Sequence, residues 1–288
     1  VTIAYGEAGT GLPLLLLHGL GSWSWNWRCN IEPLSQHYRV ICIDAKGYGF
    51  SETSPLPETA GHQIIELVRL IRALSDQPVT IAAESLGALT ALAVAEAHPE
   101  LIQQLILINV PLFPQQLPSW GMRALTIVPL TWVEWVDKSR LLRWFAPLVL
   151  QLTRLVRQEV VVDTSTITDA EIEQLTYPYL YRTGTLTQFA ADLQLAADEI
   201  ERYQAGEPNL ISMIQSDLAR VACPTLILWS DCDRWFPVQD GKRLHQLLPA
   251  AQFQIIPNCG HVASSGNPAA VNAAILSFGL HSSALTYQ

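Results

Sequence analysis

The sequence predicts an α/β protein: a mostly parallel sheet wrapped by helices and interrupted by a helical insertion. Two observations carry that prediction. Short, nearly continuous apolar runs recur at 14–17, 40–43, 79–82, 105–108, 225–229 and 253–256, with helical stretches between them. Such runs suit strands covered on both faces, the usual condition of a parallel sheet. The rhythm then breaks at Pro111, and from there to about Leu218 helical patterns dominate. We therefore divide the chain into a core, 1–110 with 219–288, and a helical cap, 111–218.

The elements follow in order. The first run leads into His18-Gly19-Leu20-Gly21, and the second into Asp44-Ala45-Lys46-Gly47-Tyr48-Gly49-Phe50-Ser51. Between 61 and 74, Ile64, Ile65, Leu67, Val68, Ile71 and Leu74 recur at helical spacing. Ala88 to Ala97 is an Ala/Leu-rich helix with one charge, Glu96. Inside the insertion, Thr168-Asp169-Ala170-Glu171 is a capping box that can open a helix. The last helix starts with Asn267 as N-cap and Pro268 at N1 and runs to about Leu280.

Composition narrows the function. The 288 residues are 49% hydrophobic and 15% charged, with a formal charge of −9, which describes a compact protein without a basic stripe for nucleic acid. No segment has the roughly 18 apolar residues that span a bilayer. Cys29, Cys42, Cys223, Cys232 and Cys259 lack metal spacing, and an odd number of thiols fits a reducing, cytoplasmic location. No metal and no cofactor is expected.

Chemistry concentrates at the ends of the runs. Ala82-Ala83-Glu84-Ser85-Leu86-Gly87 joins a strand to a helix, and a serine between two nearly side-chain-free positions is the geometry of a nucleophile elbow. An ordinary helix N-cap would also place a serine there. The amides of Leu20 and Leu86 are suited to form a two-donor oxyanion hole. His18 reads as a loop brace, and Asp44 as a residue that bonds its own loop. His261, in Asn258-Cys259-Gly260-His261 after the last run, is the expected base; the remaining histidines other than His18 read as helix or helix-end residues. The orienting acid belongs to the loop after 225–229, where Asp231 and Asp233 share strand parity and stay undistinguished.

Taken together, His18-Gly19, the Asp44 loop, the Ser85 elbow, the aspartate–proline loop and Gly260-His261 resemble the α/β-hydrolase superfamily, in its capped, esterase-like branch. The resemblance spans the whole core and implies an eight-stranded, mostly parallel sheet with the cap inserted after the strand ending near Asn109. It places the acid four residues before Pro237, which selects Asp233. Departures are Ala83 for the usual glycine, Ser230 for glycine, Gly266 where glutamate is common, and a first strand missing or cut short before Thr2.

The expected activity is that of a serine hydrolase with the triad Ser85, Asp233 and His261, acting on a small hydrophobic carboxylic ester through an acyl-enzyme. The same triad serves thioesters, lactones and C–C bonds beside a carbonyl, and the fold can also act as a small-molecule receptor. Glu84, Trp23, Trp235 and Trp120 are expected to shape the pocket. Trp120, Trp132, Trp135 and Trp144 within the insertion read as packed cap core or as an apolar tunnel. A membrane-surface role has only the thin basic face of Arg140, Arg143, Arg154 and Arg157 behind it.

Overall fold

The computed structural model describes residues 1–54 and 58–285, with side chains to 279. Seven strands form one sheet: β1 (Tyr5–Ala8), β2 (Pro13–Leu17), β3 (Arg39–Ile43), β4 (Val79–Glu84), β5 (Ile102–Ile108), β6 (Thr225–Ser230) and β7 (Gln252–Ile256). Their spatial order is β1-β3-β2-β4-β5-β6-β7. Six strands are parallel, and only the edge strand β1 runs antiparallel, pairing Tyr5 with Ile43.

The count is seven among the described residues, not the eight expected. Ahead of β1, the carbonyls of Thr2 and Ala4 accept from the amides of Glu52 and Asp44, which gives that segment loop contacts in place of a ladder. β1 itself escaped the sequence reading because Tyr-Gly-Glu-Ala is mostly exposed and lacks an apolar run.

Alternation along each strand splits the core in two. Leu15, Leu17, Ile41, Ile43, Ile81 and Ala83 pack on one face against α2 (here His62–Leu74, with α1 at Ile31–Ser35) and α3 (Leu86–Ala97). Leu14, Leu16, Val40, Cys42 and Ala82 pack on the other, with Leu34 of α1 and Phe278 near the C-terminus. Two buried faces explain why the strands read as continuous apolar runs.

Between β5 and β6 the chain makes α4 (Trp120–Thr126), α5 (Leu130–Lys138), α6 (Ala146–Val160), α7 (Asp169–Tyr181), α8 (Thr185–Ala205) and α9 (Leu210–Asp217), with no strand among the described residues. Thr168 caps α7 by accepting from the Glu171 amide. The Glu171 carboxylate pairs with Arg28 and the buried Arg157. Then follow α10 (Val238–Leu247), α11 (Ala263–Gly266) and α12 (Pro268–Leu285), the last opened by Asn267, whose side chain accepts from the Ala270 amide.

The insertion tryptophans do not form a packed core. Trp120, Trp132, Trp135 and Trp144 are all exposed; for Trp132 and Trp135 the reason is that α5 turns Val133 and Asp137 inward. Asp137 explains that orientation: its carboxylate accepts from the amides of Gly184 and Thr187 and from the Thr187 hydroxyl at the start of α8.

Candidate active site

Parallel strands deliver their C-terminal ends to one edge of the sheet, where ligand chemistry gathers in open α/β folds. β4 ends at Glu84 and passes directly into Ser85, and Leu86 opens α3. Ser85 has φ 55° and ψ −125°, a strained conformation for a residue with a side chain. Close approach enforces the small neighbours: a Cβ on Gly87 would lie 2.4 Å from the His18 carbonyl oxygen, and one on Gly19 2.9 Å from Ser85 Cβ. Ala83 is fully buried, and its methyl fits where glycine was expected.

Ser85 Oγ lies 2.9 Å from His261 Nε2, and His261 Nδ1 lies 2.8 Å from Asp233 Oδ2. The other oxygen of Asp233 accepts from the amides of Trp235 and Phe236. Asp231 is engaged elsewhere, accepting from the amides of Asn258 and Cys259 ahead of His261. Burial opposes charging of His261, but the charge and hydrogen bond of Asp233 outweigh it, and the imidazole is held above its ordinary pKa, with Glu84 adding in the same direction.

An apolar cavity opens over Ser85. Leu20, Leu86, Met122, Leu117, Ile211 and Trp235 are among its lining, which mixes the ends of core strands with α4, α8 and α9. Leu20 and Leu86 thus stand beside the serine, and Leu86, as the first residue of α3, has an N–H without an intrahelical acceptor. Trp235 packs 4.8 Å from the His261 ring and donates its indole N–H to Glu159 of α6.

Three of the four residues expected in the pocket are not among that lining. Trp23 is buried against Trp25 and Phe50. Glu84 points under the site, where its carboxylate accepts from the amide and hydroxyl of Ser264. Trp120 sits on the outer side of α4, with Met122 facing in.

Other groups were not foreseen. Asn109 is buried behind the triad and bonds both Ser230 and the His261 carbonyl. His62, read only as a helix residue, lines the cavity and contacts Asp192 of α8. His18, by contrast, was read as a loop brace, and it accepts from the Ala45 amide at Nε2. Glu58, His62 and Glu66 have metal-ligating spacing, but the Lys46 ammonium contacts both carboxylates and fills that space.

The model of the alpha/beta hydrolase fold family matches residues 13–268. This chain belongs to that family. Among its relatives, the 2-hydroxy-6-oxo-6-(2'-aminophenyl)hexa-2,4-dienoic acid hydrolase of Metapseudomonas resinovorans is 29% identical over 282 residues, 96% of this chain and 87% of the relative. The 2-hydroxy-6-oxononadienedioate/2-hydroxy-6-oxononatrienedioate hydrolase of Escherichia coli K12 is 26% identical over 285 residues, 96% of this chain and 90% of the relative.

Among solved structures, a meta-cleavage product hydrolase from Pseudomonas fluorescens superposes with a TM-score of 0.76 at 20% identity, covering 97% of this chain and 94% of that one, a likeness of fold. A serine hydrolase involved in carbazole degradation gives 0.69 at 27%, covering 95% and 93%. The alpha/beta hydrolase relatives support an enzyme of the hydrolase class that acts on a small molecule. No helix among the described residues is long and apolar enough to cross a membrane.

Proposed function

We propose that this chain is a serine hydrolase that cleaves a bond at a carbonyl carbon of a largely apolar small molecule. The observation that carries the reading is the hydrogen-bonded series Ser85–His261–Asp233 at the floor of an apolar cavity. Ser85 Oγ attacks the carbonyl carbon while His261 takes its proton, and Asp233 holds the imidazole and stabilises its charged form. The amides of Leu20 and Leu86 receive the oxyanion. The bond to the leaving group breaks, that group takes the proton from His261, and water releases the acyl-enzyme. Residues 111–218 act as a cap that supplies the apolar wall, with Trp235 between cap and triad.

For the bond cleaved, the relatives support a C–C bond beside a carbonyl over the carboxylic ester expected from the sequence, since those named above are hydrolases of 2-hydroxy-6-oxo acids. The departing carbon must then be stabilised by conjugation, which a 2-hydroxy-6-oxo diene provides. One observation favours an ester as the second reading. Neither Lys nor Arg is among the described residues lining the cavity, whereas Asp192 and Glu199 are. Among cations, a carboxylate substrate would find His62 there, whose two ring nitrogens already face Asp192 and Glu66.

A fluorophosphonate probe tests the nucleophile: Ser85 is expected to be labelled in the folded protein and Ser85→Ala to be inert. Absence of labelling would favour a receptor. Turnover of a 2-hydroxy-6-oxo dienoate, followed by loss of its absorbance, against a chain-length series of p-nitrophenyl esters decides the bond. Hydrolysis of the esters alone would overturn the C–C reading.

A further inference from the structure

We propose that the outer face of the helical segment α4–α6 docks on the surface of a bilayer containing anionic lipid. The face is apolar where a water-facing surface should be polar. Trp144 is 84% exposed, Ile127 82%, Trp132 68% and Trp135 60%. On α6, Leu148, Leu152 and Leu155 recur at i, i+4 and i+7 and are exposed as one stripe, while Arg157 and Val160 are turned inward. A concentration of large exposed apolar side chains marks an interaction surface.

The occupant follows from residue type and charge. Tryptophan is the side chain enriched at the membrane–water boundary, where an apolar ring and an N–H donor are both accommodated. Around it stand Arg123, Lys138, Arg140 and Arg143, all exposed, within a chain whose formal charge is −9. From Ser119 to Gln158 the only acidic residues are Glu134, which pairs with Lys138, and Asp137, which is buried against α8, so Arg123, Arg140 and Arg143 carry the excess charge. A cationic, tryptophan-bearing face on an acidic protein is complementary to anionic headgroups. A second copy meeting the same face across a two-fold axis would bring these cations together.

The face also lies on the far side of a cavity wall. On α4, Met122 lines the cavity while Trp120 and Arg123 face outward. A lipid-docked α4 would therefore be in contact with both the bilayer surface and the apolar chamber over Ser85. Docking itself does not depend on the hydrolase reading, because it is measured without substrate.

The test is co-sedimentation of the full chain with vesicles of mixed phosphatidylglycerol and phosphatidylcholine, and of phosphatidylcholine alone. The protein is expected to sediment with the mixed vesicles and to be released by added salt. The triple variant W132S/W135S/W144S should bind on the order of a hundredfold more weakly. K138E/R140E, which leaves the tryptophans in place, should lose about fivefold per position changed. Circular dichroism establishes that both variants are folded. If the wild type stays in the supernatant with mixed vesicles, the proposal fails. It fails equally if the wild type sediments as a dimer that the tryptophan substitutions dissociate, since a second copy would then own the face.

Discussion

The side-chain amide of Asn109 donates to the main-chain carbonyl of His261 at 2.6 Å. The same side chain donates to Ser230 Oγ at 3.0 Å and accepts from the Ser230 amide at 2.9 Å. Asn109 directly follows β5 in the left-handed region, φ 48°, a conformation asparagine tolerates better than most residues. One buried residue thus ties the strand that leads to Asp233 to the loop that carries His261.

Asn109→Ala removes these bonds and leaves a buried carbonyl and amide unpaired, a cost of roughly 1–3 kcal/mol for each unsatisfied group. It also frees the His261 loop to drift, and if His261 is the base proposed above, small misplacements of it are costly. We expect a lower melting temperature together with a kcat reduced roughly ten- to hundredfold. Thermal melts and steady-state kinetics check both, and an unchanged kcat in the folded variant would refute the positioning role.

Glu84 sets a pH effect. Burial raises its carboxyl pKa, opposed by its bonds to Ser264 and by the nearby His261, whose own pKa it helps raise. On the proposed mechanism the base must be neutral to accept the Ser85 proton, so the rate is expected to rise with pH through the His261 pKa, on a limb lying above the ordinary histidine range. Glu84→Gln removes a negative charge that favours the imidazolium and should move that limb to lower pH. The measurement is kcat/KM against pH for both proteins, and superimposable limbs would contradict the argument.

Much of this site was legible in the sequence because its signals are local. Gly87 and Ala83 flank Ser85, and His261 and the two aspartates follow strands that read clearly as apolar runs. Asp231 and Asp233 could not be separated by alternation, since both lie on the same parity; in space the Asn258 and Cys259 amides engage Asp231 while His261 Nδ1 meets Asp233. Asn109 carried no local signal at all, because its partners lie more than a hundred residues away. The outward turn of Trp132 and Trp135 was hidden for a different reason. Helical spacing gives the faces of α5, but the buried bonds of Asp137 to α8 decide which face goes in.

Glu96 on α3 offers a test of stability alone. It is buried, and desolvation together with repulsion from Asp217, partly offset by Arg220, pushes its pKa up to about 8. The native state therefore holds this proton more tightly than the unfolded chain. Its contribution to stability falls as pH rises from the unfolded value near 4.5 through about 8, and is level above that. Glu96→Gln keeps the shape without the charge and should be more stable than wild type by on the order of a few kcal/mol at alkaline pH, with little difference in acid. Urea unfolding on both sides of that window checks the sign.

His62 also loses stabilisation as pH rises, but there the protonated form is the charged one and its neutral replacement is expected to destabilise. Its Nε2 lies 3.2 Å from Asp192 on α8 and its Nδ1 3.1 Å from Glu66, with Glu58 and Lys46 alongside; Asp192 also accepts from the Tyr48 hydroxyl at 2.8 Å. Burial alone would lower the imidazole pKa, but the bonds and charges of Asp192 and Glu66 prevail and hold it at about 9. A raised pKa contributes stability that is complete below the unfolded value of 6.5 and is lost as pH rises through about 9. His62→Gln should then be less stable than wild type by roughly 1–3 kcal/mol near neutrality, and the gap should close as pH passes about 9. Melting curves of the two proteins across that range measure it. A gap independent of pH would mean that His62 contributes packing to the α2–α8 contact and no charge.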